Sequence, residues 1–521
     1  MMRDKENISS VFYKIIIGLF GIMILMILGM NIIFSQGMDY ACKNNVTIPN
    51  GVLLILGIIG ILILGTIYNI FFRRHINKFS KRECNILLIA ACIILLIIQL
   101  YIAYNIYFLS GWDVSILRNT STDLANQQLL NSQYVNYGYF TRYPNNVFLT
   151  FIFTIIKEIA IFLKIENLDF SLVVISVLLV NISAWFITKS AAIIFKDRYY
   201  SVLTLFIYSI YIALSPWITI PYSDSYSIIF TTAVLYFYLN RKNMNEYLAW
   251  SLIFILSLIG YLIKPTCIII LIAIMLVESW KFIFYSNKQK LRCTRFLLVL
   301  LSCIMVFSAI KNYSDDYIGY EENEANAFPL THFLMMGMNP ETKGVYYEDD
   351  VMYTASFIGK EEKIKANLEM VKKRLEDYGI SGYFKLLGEK LMTNYNDGTF
   401  AWSVEGNFYF NILEAPNDSS AKILRDIYYY DGLYYKNYAT CQQSIWITIL
   451  FFILLAVKRI ASTDKKDIYV IVLAIIGITL FLLLFEARAR YLFLYSPYYI
   501  LLAVVGIQSF IAFMHKKLSS K

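Results

Sequence analysis

The stretch CNILLIAACIILLIIQLYIAYNIYFL, residues 84–109, runs for 26 positions without an Asp, Glu, Lys or Arg. A bilayer's hydrocarbon core is ~30 Å thick, and an α-helix needs ~20 apolar residues to cross it. Backbone groups in lipid must be bonded within the protein, and the run lacks the alternation of a barrel strand, so it reads as a membrane-spanning helix. Directly beyond it stand Ser110-Gly111-Trp112-Asp113, so the chain leaves lipid and reaches a carboxylate within four residues.

The same pattern recurs along the 521 residues, of which 58% are apolar and 16% charged, a balance that excludes an ordinary soluble protein. Twelve spans are predicted, at about 11–36, 51–72, 84–109, 169–195, 199–215, 223–240, 246–263, 266–285, 292–313, 444–461, 467–486 and 491–514. The first is too long for a cleavable signal core and reads as a retained span. The net charge of +9 gathers in every second connection: Arg73, Arg74, Lys78, Lys81 and Arg82; Lys196 and Arg198; Arg241 and Lys242; Lys288 to Arg295; Lys458 to Lys466; and the tail. That is the positive-inside pattern of a plasma-membrane protein with both termini cytoplasmic, and it removes the nucleic-acid reading of a basic chain. Counting the apolar run 145–164 as a span would break the alternation. Its Thr150, Thr154, Lys157, Glu158 and Lys164 recur at helical spacing, so it is expected to lie along the outer interface or line a cavity. The seven cysteines lie mostly inside spans and form no disulfide framework.

This threading gives an all-α polytopic protein in four parts: a two-span extension over 1–83, a membrane module over 84–313 with a first extracytoplasmic loop at 110–168, an extracytoplasmic subdomain over 314–443, and C-terminal helices over 444–521. In the subdomain, Ile364, Leu368, Val371, Leu375 and Tyr378 form an apolar stripe among Lys and Glu, predicting an amphipathic helix over 361–378. A second helix is expected over 382–394, ending at the turn signal Asn396-Asp397-Gly398.

Acid and histidine relays of a coupled transporter are missing from the predicted spans, and the informative polar residues stand at their outer ends. These are Asp113; Arg142-Tyr143-Pro144; Asp224 in Tyr222-Ser223-Asp224-Ser225; Lys264-Pro265; and Arg488 and Arg490 in Glu486-Ala487-Arg488-Ala489-Arg490-Tyr491. Cations on the outer face run against the positive-inside bias, so Lys264, Arg488 and Arg490 ask for an anionic partner, and a lipid-borne phosphate is the economical one. Transfer from such a phosphate needs a base for the acceptor and cations for the leaving group. Asp113 suits the base and the three cations suit the clamp. Asp224 is left to orient Asp113, bind a sugar hydroxyl or help hold a divalent ion. His75, His332 and His515 are scattered and no metal-ligand spacing occurs; His332, just past a span, is a further substrate-binding candidate with Arg142 and Tyr143.

At these residues the chain resembles the GT-C superfamily of polytopic glycosyltransferases, in the branch of protein O-mannosyltransferases and lipid A aminoarabinose transferases. Asp113 matches that superfamily's acid in the first large outer loop, Tyr143-Pro144 its Tyr-Pro element, and Asp224 its acid in the next outer loop. Lys264-Pro265-Thr266, Pro329 to Asn339 and Arg490-Tyr491 resemble segments of its Gram-positive members. The sequence departs from the pattern where paired acids are usual, because Val114 follows Asp113 and the next acid is Asp123. The resemblance implies a GT-C-like bundle, a polyprenyl-phosphate sugar as donor, and a glycan, teichoic acid, protein or lipid of the envelope as acceptor, with inverting displacement. The competing readings are an envelope polysaccharide polymerase or ligase, whose paired arginines in both outer loops are not seen, and a lipid-linked-oligosaccharide flippase, whose matching halves are not seen either.

Overall fold

The computed structural model describes residues 2–34, 46, 48–72, 78–126, 136, 138–285, 290–406, 419–463 and 465–519. The positions Cys42, Arg73, Arg74, His75 and Lys288 lie outside them. The described residues are helical with irregular connections, and no strand occurs among them. Eleven stretches among them are long and apolar enough to cross a membrane: Val11–Ile33, Asn50–Ile67, Lys81–Ile106, Pro144–Phe162, Leu168–Ile194, Glu246–Ile263, Pro265–Phe284, Phe296–Ile318, Tyr435–Ala461, Lys466–Leu484 and Ala489–Met514.

Two of the twelve expected spans are absent from that set, for a physical reason. Residues 199–215 form helix Arg198–Tyr208, which loosens into a π-turn at Ser209–Ala213 before Pro216. Residues 223–240 form helix Ser223–Asn240, which opens in Ser, Asp and Tyr and has 12 buried residues among its 18. Helices enclosed by protein can carry hydroxyls that lipid would penalise: Tyr208 Oη donates to Val180 O and Tyr226 Oη to Leu172 O, each at 2.8 Å. By contrast, 6% of the apolar window in Phe296–Ile318 is buried.

We number the helices that carry the argument: α1 Met2–Ile33, α2 Asn50–Ile67, α3 Lys81–Ile106, α4 Trp112–Ala125, α5 Val147–Phe162, α6 Leu168–Ile194, α7 Arg198–Tyr208, α8 Ser223–Asn240, α9 Glu246–Ile263, α10 Ile268–Tyr285 and α11 Lys290–Ile318. After these come α12 Leu330–Met336, α13 Glu348–Ala355, α14 Lys360–Tyr395, α15 Ser419–Tyr428, α16 Tyr435–Ala461, α17 Tyr469–Leu484 and α18 Ser496–Ser519. A capping box at Ser80 and Glu83 starts α3. The central helices α8, α16, α17 and α18 pack their apolar residues into one continuous core.

Neighbouring helices align their ends. The start of α6, the end of α9 and the end of α11 share one end of the bundle, called here the site end. Basic residues mark the other: Arg198 bonds Phe79 O at 2.6 Å and Lys465 bonds Ile194 O at 3.2 Å. Helix α5 is apolar enough to cross, yet its partners all stand at the site end. Lys157 pairs with Asp169 at the start of α6 at 2.6 Å, and Glu158 and Phe151 both meet Tyr317 at the end of α11. Of the polar stripe expected to lie along the outer interface or line a cavity, Thr150, Thr154 and Lys157 are buried against protein, Lys157 bonding Arg118 O of α4 at 2.9 Å, while Glu158 is half-buried and Lys164 exposed.

Beyond α11 the chain builds a helical subdomain. The two helices expected over 361–378 and 382–394 are the halves of α14, which kinks at Gly379 (φ 57°). The subdomain sits on the bundle through backbone contacts: Ala487 N donates to Gly344 O at 2.7 Å, and a Cβ on Gly337 would fall 2.6 Å from Phe485 O. Buried Lys390 of α14 pins the same junction by donating to Gly337 O and Phe485 O at 2.7 and 2.6 Å. Burial in that apolar seam pushes its ammonium down to about 7, against the pull of Glu486.

Candidate active site

Asp113 lies in the first turn of α4, behind Trp112, whose φ of +44° is a left-handed conformation that costs a bulky residue energy. The strain is held by packing: the Trp112 ring meets Tyr222 edge-on at 4.9 Å and the Arg490 guanidinium lies 4.6 Å from its centroid. Tyr222 Oη donates to Asp113 Oδ2 at 3.0 Å. Among the described residues the half-buried Asp113 carboxylate is in no ion pair.

The remaining acids are paired. Asp224, at the start of α8, is 3% exposed; Lys264 Nζ bonds its Oδ1, and Arg490 Nη1 bonds its Oδ2 at 2.8 Å. Lys264 stands where α9 ends and Pro265 forbids continuation, and its ammonium lies 4.3 Å from the Tyr491 ring centroid. Arg490 also donates from Nε to Glu405 Oε2 at 3.1 Å. Arg488 reaches Glu405 Oε1 at 3.4 Å and donates from Nε to Glu486 Oε1 at 2.8 Å, and Tyr491 Oη donates to Glu486 Oε2 at 3.3 Å. Three cations and three carboxylates thus balance inside one buried chain of contacts. Lys264, Arg488 and Arg490, expected from the sequence to meet an anionic partner, are each already paired within the protein: Lys264 with Asp224, Arg490 with Asp224 and Glu405, and Arg488 with Glu405 and Glu486.

Glu405 carried no sequence signal. It is delivered by a turn that Asp397 ties, accepting from Thr399 N at 2.7 Å and Ala401 N at 3.0 Å, so that Phe400 (φ 56°) and Ala401 (φ 60°) take left-handed backbone. Trp402 follows and packs on Trp217 at 5.4 Å and Phe108 at 6.2 Å. The connections after α3, before α8 and after α14 are locked together by that aromatic cluster, which brings Asp113, Asp224 and Glu405 to one place.

Arg142 and Tyr143 end the short helix Tyr139–Arg142. Among the described residues the Arg142 side chain makes no ion pair. Burial first, then the nearby Tyr346, Asp113 and Glu486, push the Tyr143 phenol above its usual range, while Arg142 opposes them. Tyr143 therefore stands within electrostatic reach of Asp113, Glu486 and Arg142 together. Tyr139 joins this wall: Asn146 donates to its hydroxyl at 2.5 Å, and burial with Tyr222 and Asp113 raises its pKa well above the usual value.

His332 is elsewhere. It is fully buried between α12, α13 and α14, with Nδ1 2.7 Å from Thr354 Oγ1, which itself donates to Asn367 Oδ1 at 3.0 Å. That chain assigns the proton to Nδ1 and leaves Nε2 without a hydrogen-bond partner among the described residues. Burial pushes the imidazole down to about 4, against the pull of Asp350 and Glu486. A divalent ion at Asp224 does not fit, because an ammonium and a guanidinium hold its two oxygens. No group of three or more metal-ligating side chains occurs among the described residues.

The family described as conserved hypothetical integral membrane protein matches residues 3–511. The chain belongs to that family. As a member of this integral membrane family it is multi-pass, in keeping with its apolar helices. No curated protein matches it. Among solved structures it is similar to ArnT from Cupriavidus metallidurans, crystallised bound to undecaprenyl phosphate, with 11% identity over 82% of this chain and 78% of ArnT and a TM-score of 0.29. That TM-score assigns no chemistry to this chain.

Proposed function

We propose that the protein is a membrane glycosyltransferase of GT-C type, moving a sugar from a polyprenyl phosphate to an acceptor of the cell envelope at the extracytoplasmic face. The observation that carries the reading is the contrast within the site: Asp113 is unpaired and half-buried beside a neutralised frame of Asp224, Glu405, Glu486, Lys264, Arg488 and Arg490. A carboxylate with free lone pairs is what a general base requires, and a cation without a counter-charge is what a phosphate requires.

In this reading Asp113 takes the proton of the acceptor hydroxyl, the oxygen attacks the sugar's anomeric carbon, and the bond from that carbon to the phosphate oxygen breaks. Arg142 receives the charge that develops on the leaving phosphate, helped by Arg488, whose side chain is 19% exposed where that of Arg490 is 7%. Lys264 and Arg490 act on the phosphate through their field and hold Asp224 rigid. Asp224 has its oxygens turned to those cations, and Tyr222 connects it to Asp113 through the Arg490 guanidinium, 5.3 Å from the Tyr222 ring centroid. Tyr143 and Tyr139 offer phenols to the sugar. His332 supports the subdomain that covers the site. Residues 84–313 form the catalytic membrane module, with 1–83 as an extension, 314–443 as the extracytoplasmic cover and 444–521 bringing the last cations. The basic end of the bundle, with both termini, faces the cytoplasm.

The test is transfer by the purified protein in lipid nanodiscs, offered a panel of undecaprenyl-phosphate monosaccharides and an envelope fraction. Release of undecaprenyl phosphate with labelling of the acceptor fraction is the expected result. If no lipid-linked sugar binds or turns over, with an acceptor fraction that a known transferase labels, the transferase reading fails.

A further inference from the structure

Far from the site, α3 and α6 leave a groove between them. Ile89, Ile93 and Leu96 form one wall, Ile182 and Trp185 the other, around a volume of about 200 Å³. The groove opens away from the core, with Ile93 53% and Ile182 42% exposed. Asn181 makes its floor, and the amide is already spent: Nδ2 donates to Cys92 O at 3.0 Å and to Gln99 Oε1 at 2.8 Å. What the groove offers an occupant is apolar.

Its end toward the basic side is different. One turn beyond Trp185, the Lys189 ammonium lies 5.6 Å from the Trp185 ring centroid and donates to Asn85 Oδ1 at 2.6 Å. Among the described residues no carboxylate stands within ion-pair distance of it; the same holds for Lys14 of α1 and for Lys458 and Arg459 of α16, but of these four cations Lys189 is the one beside the groove. A cation on a spanning helix is costly without a counter-charge. Lys189 stands five residues, ~7.5 Å along the axis, from the end of α6, near the depth of lipid headgroups, and the walls begin eight residues, ~12 Å, beyond the start of α3, at chain depth.

We propose that this groove binds one anionic phospholipid from the leaflet at the basic end, with an acyl chain between Ile93 and Ile182 and its phosphate on Lys189. Trp185 joins the two halves, since its ring lines the groove and faces the ammonium. The occupant is chosen by charge and continuity: a cation without a carboxylate stands at the mouth of the apolar slot, and both face the bilayer. A lysine that only snorkels would favour an anionic headgroup as well but would need no groove, so the substitutions that fill the slot separate the two. The site stands at the opposite end from Asp113, so it concerns a resident lipid and is independent of the transferase reading.

Native mass spectrometry of the full-length protein in detergent, with palmitoyl-oleoyl phosphatidylglycerol and phosphatidylcholine added in equal amounts, reads the binding. The wild type should retain one lipid with about fivefold preference for phosphatidylglycerol, the order a single lysine gains at an anionic lipid surface. Lys189→Gln should erase the preference, and Ile93→Trp or Ile182→Trp, at positions already exposed, should displace the lipid by filling the slot. Equal retention of phosphatidylglycerol by wild type, Lys189→Gln and both tryptophan variants would overturn the proposal. So would loss in Lys189→Gln alone, because that result leaves a headgroup contact without a chain site.

Discussion

Two ionic clusters hold the two ends of this bundle, and only one of them leaves charges unspent. At the basic end, Arg241 of the α8 terminus meets Glu278 at 3.1 Å and Asp467 at 2.9 Å, Lys281 pairs with both acids, and the Tyr238 ring covers the Arg241 guanidinium at 3.9 Å. Two cations and two acids close on themselves. At the site end the frame around Asp224 closes in the same way, three against three, but Asp113, held by Tyr222, and Arg142, next to Tyr143, have no ion pair among the described residues. Paired charges fasten helices to each other; unpaired charges next to a rigid, neutral frame are free to meet a substrate. Depth separates the clusters too, since the side chains of Asp224 and Lys264 are 4% and 6% exposed and those of Asp467 and Glu278 are 23% and 27%.

That contrast can be broken experimentally. The largest effect is expected from Asp224→Asn, which strands the buried Lys264 ammonium and leaves Arg490 only Glu405, and should cost ~3–5 kcal/mol, read as a fall in the thermal midpoint in detergent. A midpoint unchanged from wild type would show that the frame is not held by its charges. Next comes His332, whose ordinary pKa is 6.5 and whose folded value is about 4. The unfolded state binds the proton first, so this residue's contribution is intact above pH 6.5 and is lost as the pH falls toward 4. Over that window the stability of wild type should fall by ~3 kcal/mol more than that of His332→Asn. Parallel pH profiles would remove His332 from the acid response. Arg142→Gln should weaken donor lipid binding by a factor of about ten to a hundred, the ~1.5–3 kcal/mol of a charged hydrogen bond, with little change in the thermal midpoint. Loss of stability with unchanged donor affinity would make Arg142 part of the frame. The smallest effect belongs to Asp467→Asn, where solvent screens the pairs; ~1 kcal/mol is expected, with turnover unaltered.

The sequence was legible where lipid dictates composition. Residues 84–109, with no charge, could only be a span, and Lys81–Ile106 is one of the most apolar helices in the chain. Legibility declined where protein replaces lipid as the surroundings. Ser223–Asn240 is enclosed by neighbouring helices and tolerates Ser, Thr and Tyr, while α5 is apolar because it packs on α4, α6 and α11 at one end. At the site, Asp113, Asp224, Lys264 and Arg490 stood out because they are charges at the span ends away from the basic connections, where the positive-inside bias disfavours cations. Their pairing did not, because Asp224 and Arg490 are 266 residues apart and meet only through the packing of α8 against the turn before α18. Glu405 was invisible, since its place depends on the left-handed turn at Phe400 and Ala401. His332 misled in the opposite sense: it follows a span as a substrate ligand would, yet Thr354 and Asn367 hold it inside the subdomain.

The central claim, that the unpaired acid does the chemistry and the paired acids build its surroundings, is tested most directly by turnover of Asp113→Asn with a lipid-linked sugar that the wild type uses. The substitution keeps size and the hydrogen bond from Tyr222 but removes the proton acceptor. Turnover should fall by ~10²–10⁴ with donor binding and thermal midpoint unchanged, the range a general base contributes. Turnover within a factor of about ten of wild type, with the fold intact, would contradict the account.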